Sequence, residues 1–172
     1  MPTRKTNKVP PPQLLHVPRL IIASNRGPVE FQLSHDDKSL KARRGAGGVV
    51  TALIDTGNRM EVTWVALTMT EGDRLAAQQA RRHDGLIQSP LPGQKMQLRY
   101  IPVSKEVYRK HYEKISNEIL WFLQHYLYDP TEESSAASQL QDAWNNGYYV
   151  ANQAIADAVN AEIEREATTP VV

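Results

Sequence analysis

The sequence predicts an α/β domain built on a parallel sheet of Rossmann type. Three observations predict it. Short apolar runs at Leu20–Ala23, Val62–Leu67 and Met96–Val103 read as buried strands, and helical patterns stand between and after them. The first run also feeds a glycine-rich turn that opens a helix, the order in which a parallel α/β unit is built.

Taken in order, Met1–Pro18 is polar and basic with consecutive prolines at Pro10, Pro11 and Pro12, so residues 1–18 read as a flexible or polyproline-like tail. The first strand delivers Ser24, Asn25 and Arg26 to a loop. Residues 27–46 are long for an ordinary connection and contain SHDDKS, which reads as a hairpin tip or a mobile flap. Gly45, Ala46, Gly47 and Gly48 precede a helix over Val49–Asp55 that Gly57 and Asn58 stop. Thr70, with Glu71 and Asp73 behind it, starts a charged helix through Arg82, acids in its first turn and arginines in its last as the backbone dipole prefers. Pro90 and Pro92 break the chain ahead of the third strand, after which Ser104 caps a helix with Val107 and Tyr108 on its apolar side. From Ser134 to about Glu166, Leu140, Trp144, Tyr148, Ala151, Ile155 and Val159 recur every three or four residues on one helical face.

At 172 residues the chain is one domain or part of one. Twenty basic against 19 acidic residues leave a formal charge of +1, which gives no electrostatic case for nucleic acid or an anionic membrane. No apolar run approaches the roughly 20 residues that span a bilayer, and residues 1–18 lack the apolar core of a secretory signal. Zero cysteines exclude a disulfide framework and a thiolate nucleophile, and fit a reducing cytoplasm. His16, His35, His83, His111 and His125 are scattered without the spacing of a local metal motif, so no metal is expected.

The chemistry concentrates in residues 19–53. A helix start presents N–H groups and the positive end of the dipole, and glycines there let a phosphate or diphosphate approach the main chain. Arg26 adds a planar, permanently charged fork for the same kind of ligand. Neither GxGxxG nor GxxxxGK[ST] is present, and a sharp strand-to-helix turn would by itself account for the glycines.

The wording of the segment adds to this. SNRGPV after an apolar strand, then RRGAGGVVTAL, then TWVAL, resembles the N-terminus of the trehalose-6-phosphate synthase family of glycosyltransferases, whose usual form is near SNRLPV, GGL and WVGW. HYEKISNEILWFLQHY, His111 to Tyr126, resembles the family's YYNGFSNxxLWPxFHY, and AWNNGYYVANQAIADAV, Ala143 to Val159, resembles a W, Y, AN, FA pattern. The three blocks stand in the family's order from about residue 19 to the C-terminus. The resemblance implies a retaining, metal-independent and cofactor-free hexosyltransferase of GT-B fold, with two Rossmann-like domains facing across a cleft. It implies nucleotide sugar and sugar phosphate as partners, neither nucleic acid nor membrane among them, and leaves homo-oligomer formation open. TTPVV, Thr168 to Val172, looks like a loop entering a further strand, so residues 19–172 are expected to be an incomplete N-terminal, acceptor-side domain that is inactive alone.

By resemblance Arg26 contacts the phosphate of a sugar-phosphate acceptor, Gly47 and Gly48 lie against the donor diphosphate, and Tyr112 and Trp121 surround the acceptor. Tyr112 and Trp121 are nine residues apart, which on one regular helix puts them on opposite faces. A break with Ser116 as N-cap is the expected remedy. Core packing is the competing role for Trp121, set among Ile119, Leu120, Phe122 and Leu123, and His125 reads as structural. No catalytic acid or base is assignable. Glu113, Lys114 and Ile115 replace the family's NGF, Leu67 its second tryptophan, and the Trp144–Tyr148 spacing is one residue longer. The expected activity is therefore UDP-forming α,α-trehalose-phosphate synthesis from a nucleotide sugar and glucose 6-phosphate. The alternatives are a related synthase with another acceptor (glucosylglycerol-phosphate or pseudo-glycosyltransferase chemistry), a non-catalytic regulatory module of the same fold, or an unrelated phosphate-binding protein. UDP against GDP stays open.

Overall fold

The computed structural model describes residues 19–34, 39–127 and 137–165. The proline-rich tail, the HDDK of SHDDKS at 35–38 and the TTPVV segment lie outside the described residues. Strands β1 (Arg19–Ser24), β4 (Glu61–Leu67) and β6 (Met96–Ile101) are mutually parallel, and β5 (Ile87–Gln88) closes the sheet antiparallel to β6, giving the order β1-β4-β6-β5. The largely parallel α/β sheet predicted from the apolar runs is thus present; β5, only two residues long, carries too little periodicity to be read in advance.

Helices cover both faces, which is why β4 is buried from Val62 to Leu67 without alternation. Facing one way, Ile22, Val62, Trp64, Met96, Leu98 and Tyr100 pack against Val50, Ile54, Ala76 and Ala77 of the neighbouring helical segments. These segments are α1 (Gly48–Leu53), running into a tighter turn at Ile54–Asn58, and α2 (Glu71–Ala80), running into another at Arg81–His83. Facing the other way, Glu162 of α6 (Tyr149–Arg165) is wholly buried among Arg19, Arg99 and Arg165. A carboxylate on the sequence's expected apolar face was not foreseen. It answers the arginines that β1 and β6 turn toward that helix.

The described residues of 27–46 form a packed hairpin. Strands β2 (Val29–Leu33) and β3 (Leu40–Arg44) pair antiparallel from Val29↔Arg44 to Leu33↔Leu40, and Val29 and Phe31 enter the core. Asp73 clasps the hairpin to α2: its Oδ1 accepts the Phe31 N–H at 2.8 Å, and its Oδ2 accepts those of Met69 (2.9 Å) and Thr70 (3.0 Å). Thr70 completes a capping box with Asp73. Gly72 is required there, since a Cβ would strike the Phe31 carbonyl, whose carbon is 2.5 Å away.

The helix that Ser104 caps runs unbroken through α3 (Lys105–Tyr108), a wide stretch Arg109–Leu120 with i→i+5 hydrogen bonds, and α4 (Trp121–Gln124). This corrects the expected break at Ser116, whose hydroxyl instead donates back to the His111 carbonyl at 2.9 Å. The helix α5 (Ala137–Ala143) continues through a second wide stretch, Trp144–Tyr148, into α6. Gly147 lets the two wide stretches touch, because a Cβ would meet the Lys110 side chain and lie 2.9 Å from the His111 nitrogen. Of the departures from the family wording, Leu67 and Ile115 are wholly buried and act as packing residues.

Candidate functional site

The site forms where β1 ends. Ser24 accepts the Trp64 indole N–H at 2.7 Å and donates to the Arg26 carbonyl at 2.6 Å, so the sheet itself folds the loop that carries Asn25 and Arg26. Beyond them Gly27 lies against Tyr100, with ring carbons 2.8 Å from where a Cβ would be, and the Tyr100 hydroxyl donates to the Val29 carbonyl. Burial, and then the Asp73 carboxylate, push the Tyr100 phenol far above its ordinary value, keeping it a donor.

The glycine turn returns to this loop. Gly45 N–H donates to the Pro28 carbonyl at 2.8 Å, and a Cβ on Gly45 would lie 2.5 Å from the Gly27 carbonyl oxygen. A pocket of about 210 Å³ opens between the two segments, lined by Arg26, Gly27, Gly45, Ala46, Thr70 and Asp73 among others. That is smaller than the ~300–1,000 Å³ usual for a whole small-molecule ligand, and suits one charged group of a larger one. A larger cavity, about 760 Å³ and lined by Phe31, Leu40, Ile87 and Arg165 among others, lies at the β5 edge away from the motif residues.

Gly47 and Gly48 follow directly and are exposed. Gly47, at φ +133°, takes a conformation that side-chain-bearing residues rarely adopt, and no side chain caps the helix it precedes. The first main-chain bond of that helix runs from Thr51 N–H to Gly47 O at 2.9 Å. With open space where a Cβ would sit on either glycine, a ligand has access to the main chain here. The helix itself is only six residues long, so its dipole is small.

Arg26 and Tyr112 come together, the guanidinium carbon lying 5.7 Å from the centre of the Tyr112 ring. Tyr112 packs on Tyr108, ring centres 5.5 Å apart, and the Tyr108 hydroxyl accepts from Asn25 Nδ2 at 3.2 Å. Burial pushes the Tyr108 phenol up, against the opposing pull of the Asn25 hydrogen bond and the Arg26 charge. Asn25 and Tyr108 were not singled out as site residues from sequence, although Asn25 adjoins Arg26 and Tyr108 precedes Tyr112 by one helical turn.

Trp121 stands apart from this cluster, 46% exposed, with its ring stacked on His125 at 4.0 Å and edge-on to Phe122 at 5.2 Å. His125 Nδ1 is 2.6 Å from the Trp121 carbonyl oxygen. The i→i+5 winding makes the nine residues from Tyr112 to Trp121 amount to about two turns rather than two and a half, returning Trp121 to the side of Tyr112. No helix break is needed to do so.

Residues 18–171 match the family model described as Glycosyltransferase family 20. The chain belongs to glycosyltransferase family 20. Among curated family 20 relatives, it is 30% identical over 148 residues to "Alpha,alpha-trehalose-phosphate synthase [UDP-forming] 1" of Arabidopsis thaliana, covering 85% of this chain and 14% of the relative. It is 32% identical over 110 residues to "Alpha,alpha-trehalose-phosphate synthase [UDP-forming] A" of Dictyostelium discoideum, covering 63% of this chain and 13% of that one. The chain therefore spans about one-seventh of the length of these relatives. Among solved structures it is similar to "Trehalose-6-phosphate from E. coli bound with UDP-2-fluoro glucose", with 17% identity and a TM-score of 0.47, over 81% of this chain and 24% of that one. Among the described residues of this family 20 chain, no helix is long and apolar enough to cross a membrane.

Proposed function

We propose that this chain is the N-terminal, acceptor-side part of a UDP-forming α,α-trehalose-phosphate synthase, which transfers glucose from a nucleotide sugar to glucose 6-phosphate with retention, in the cytoplasm. Family membership and the two UDP-forming relatives support the reaction class. The single observation that carries the assignment of groups is Arg26, which sits over the Tyr112 ring and lines the pocket bounded by the glycine turn.

On this reading Arg26 receives the acceptor phosphate and Tyr112 flanks it. Trp121, half exposed on the same helix, covers the apolar face of the sugar. The Gly47 and Gly48 main chain meets the donor diphosphate, where negative charge builds as the glycosidic bond to the nucleotide breaks. The contribution of these groups is positioning and charge stabilisation, with the acid–base chemistry supplied by residues outside this chain.

Glucose 6-phosphate titrated into the chain and into its Arg26→Ala variant tests this. Loss of a charge-assisted contact of about 1.5–3 kcal/mol weakens binding about 10- to 150-fold. Equal affinity of the two proteins removes Arg26 from the site and the reading with it. A coupled assay for UDP release is expected to register no transfer by residues 1–172 alone.

A further inference from the structure

Arg26 is exposed, and among the described residues no carboxylate lies within ion-pair distance of it. A long cationic side chain in that condition samples many rotamers, and a ligand then has to order it at an entropic cost. The geometry around it supplies an alternative source of order. Asn25 and Arg26 are adjacent on the loop after β1, while Tyr108 and Tyr112 are four residues apart on one helix. Asn25 Nδ2 donates to the Tyr108 hydroxyl at 3.2 Å, Tyr108 packs against Tyr112 at 5.5 Å, and Tyr112 carries the Arg26 guanidinium at 5.7 Å. The four side chains close a ring between loop and helix, with the Tyr108 hydroxyl as its polar link, bonded to Asn25 and within side-chain hydrogen-bonding reach of Arg26.

We propose that Tyr108 is a positioning residue that, through its hydroxyl bond to Asn25 and its ring contact with Tyr112, holds Arg26 ready for the phosphate of a sugar-phosphate ligand. The inference rests on the reading of Arg26 given above, but it makes a separate claim, that the arginine is set before the ligand arrives. Packing alone does not account for Tyr108. Its ring is half-buried rather than enclosed, and its hydroxyl meets the residue next to Arg26 instead of bulk solvent.

Tyr108→Phe keeps the ring and deletes the hydroxyl that meets Asn25 and Arg26; Asn25→Ala deletes the Asn25 link alone, from the other side. The ligand-free readout is the ring-current shift of the Arg26 Hδ protons over Tyr112, followed by NMR. Both variants are expected to move these resonances toward random-coil values with the melting temperature unchanged. With glucose 6-phosphate as probe, Tyr108→Phe is expected to weaken binding about fivefold, the worth of one ordinary hydrogen bond. That loss is expected to vanish in the Arg26→Ala background, which a merely structural role would not produce. Unmoved Arg26 resonances, or an equal loss in both backgrounds, overturn the proposal. An Arg26→Ala affinity equal to wild type instead refutes the phosphate-binding reading, and the ligand-free shifts still decide whether Tyr108 holds the arginine.

Discussion

Removing the Asp73 carboxylate should detach the hairpin from the domain. One side chain accepts three main-chain N–H groups, from Phe31 at 2.8 Å, Met69 at 2.9 Å and Thr70 at 3.0 Å, and it is 1% exposed. Asp73→Ala leaves those donors without the acceptor while water cannot fully replace it. Each unsatisfied buried donor costs about 1–3 kcal/mol, so three sharing one partly accessible site cost about 4 kcal/mol together. Asp73→Asn preserves shape but turns an NH₂ group toward at least one of the N–H donors, for a loss of about 2 kcal/mol. Equilibrium urea unfolding monitored by tryptophan fluorescence measures both, since Trp64 is buried in the core beside the hairpin. Amide exchange at Phe31 gives the local effect, expected to accelerate more than exchange in β4. A loss below about 1 kcal/mol for Asp73→Ala, with Phe31 still protected, would refute the clasp.

Three other outcomes are expected. Gly27→Ala places a methyl against the buried Tyr100 ring and should cost about 2–3 kcal/mol by urea unfolding, partly relieved in a Tyr100→Ala background where the ring is gone. Glu162→Ala removes the buried carboxylate that Arg19, Arg99 and Arg165 share, leaving Arg19 its bonds to Thr63 and Gln97 but no countercharge from that helix, for an expected loss of about 3–5 kcal/mol, whereas a loss under 1 kcal/mol would show that the cluster is solvated. His111 is 6% exposed, packs on Tyr148, and burial holds its imidazole below the ordinary value. The unfolded chain therefore binds the proton more readily, so the stabilisation is complete above about pH 6.5 and is lost as pH falls from there through the lower folded-state value. The urea midpoint should drop between pH 7.5 and 5.5 in the wild type, and His111→Phe should shrink that drop.

Local signals in the sequence located the elements well. The apolar runs marked β1, β4 and β6 because a parallel strand covered on both faces has no polar alternation to hide it. Thr70 and Ser104 marked helix starts because capping is a short-range bond, and both do cap. Long-range partnerships left no such trace. The acid at Asp73 reads from sequence as dipole compensation, and nothing near it discloses that Phe31, 42 positions earlier, supplies a donor. Glu162 interrupts the apolar face of its helix without a reason in the sequence until the arginines of β1 and β6 are seen beneath it. The winding of Arg109–Leu120 was missed because the prediction used 3.6 residues per turn, and that assumption alone called for a break at Ser116. Arg26 beside Tyr112 was legible only from the resemblance, since they stand 86 positions apart and no periodicity links residues across that separation.

The two halves of the proposed site differ in how firmly the fold holds them, and the difference bears on how each would meet its ligand. The Arg26 loop is anchored twice, from the sheet through Trp64 and Ser24 and from the helix through Tyr108 and Asn25. The Gly47 turn has neither a capping side chain nor neighbours within reach of a Cβ, and its nearest main-chain tie to the loop is the Gly45–Pro28 bond. An arginine fixed in advance loses little entropy on binding, and so favours a ligand whose phosphate has one correct position. A glycine turn with open surroundings adjusts its amides to an arriving diphosphate instead. For the transfer proposed, in which the acceptor hydroxyl must be aligned with a carbon on the donor, that division would put the rigid frame under the acceptor and the compliance under the leaving group. Alanine at Gly47 would oppose the compliance through its positive φ, and its cost should appear in binding of a nucleoside diphosphate rather than of glucose 6-phosphate.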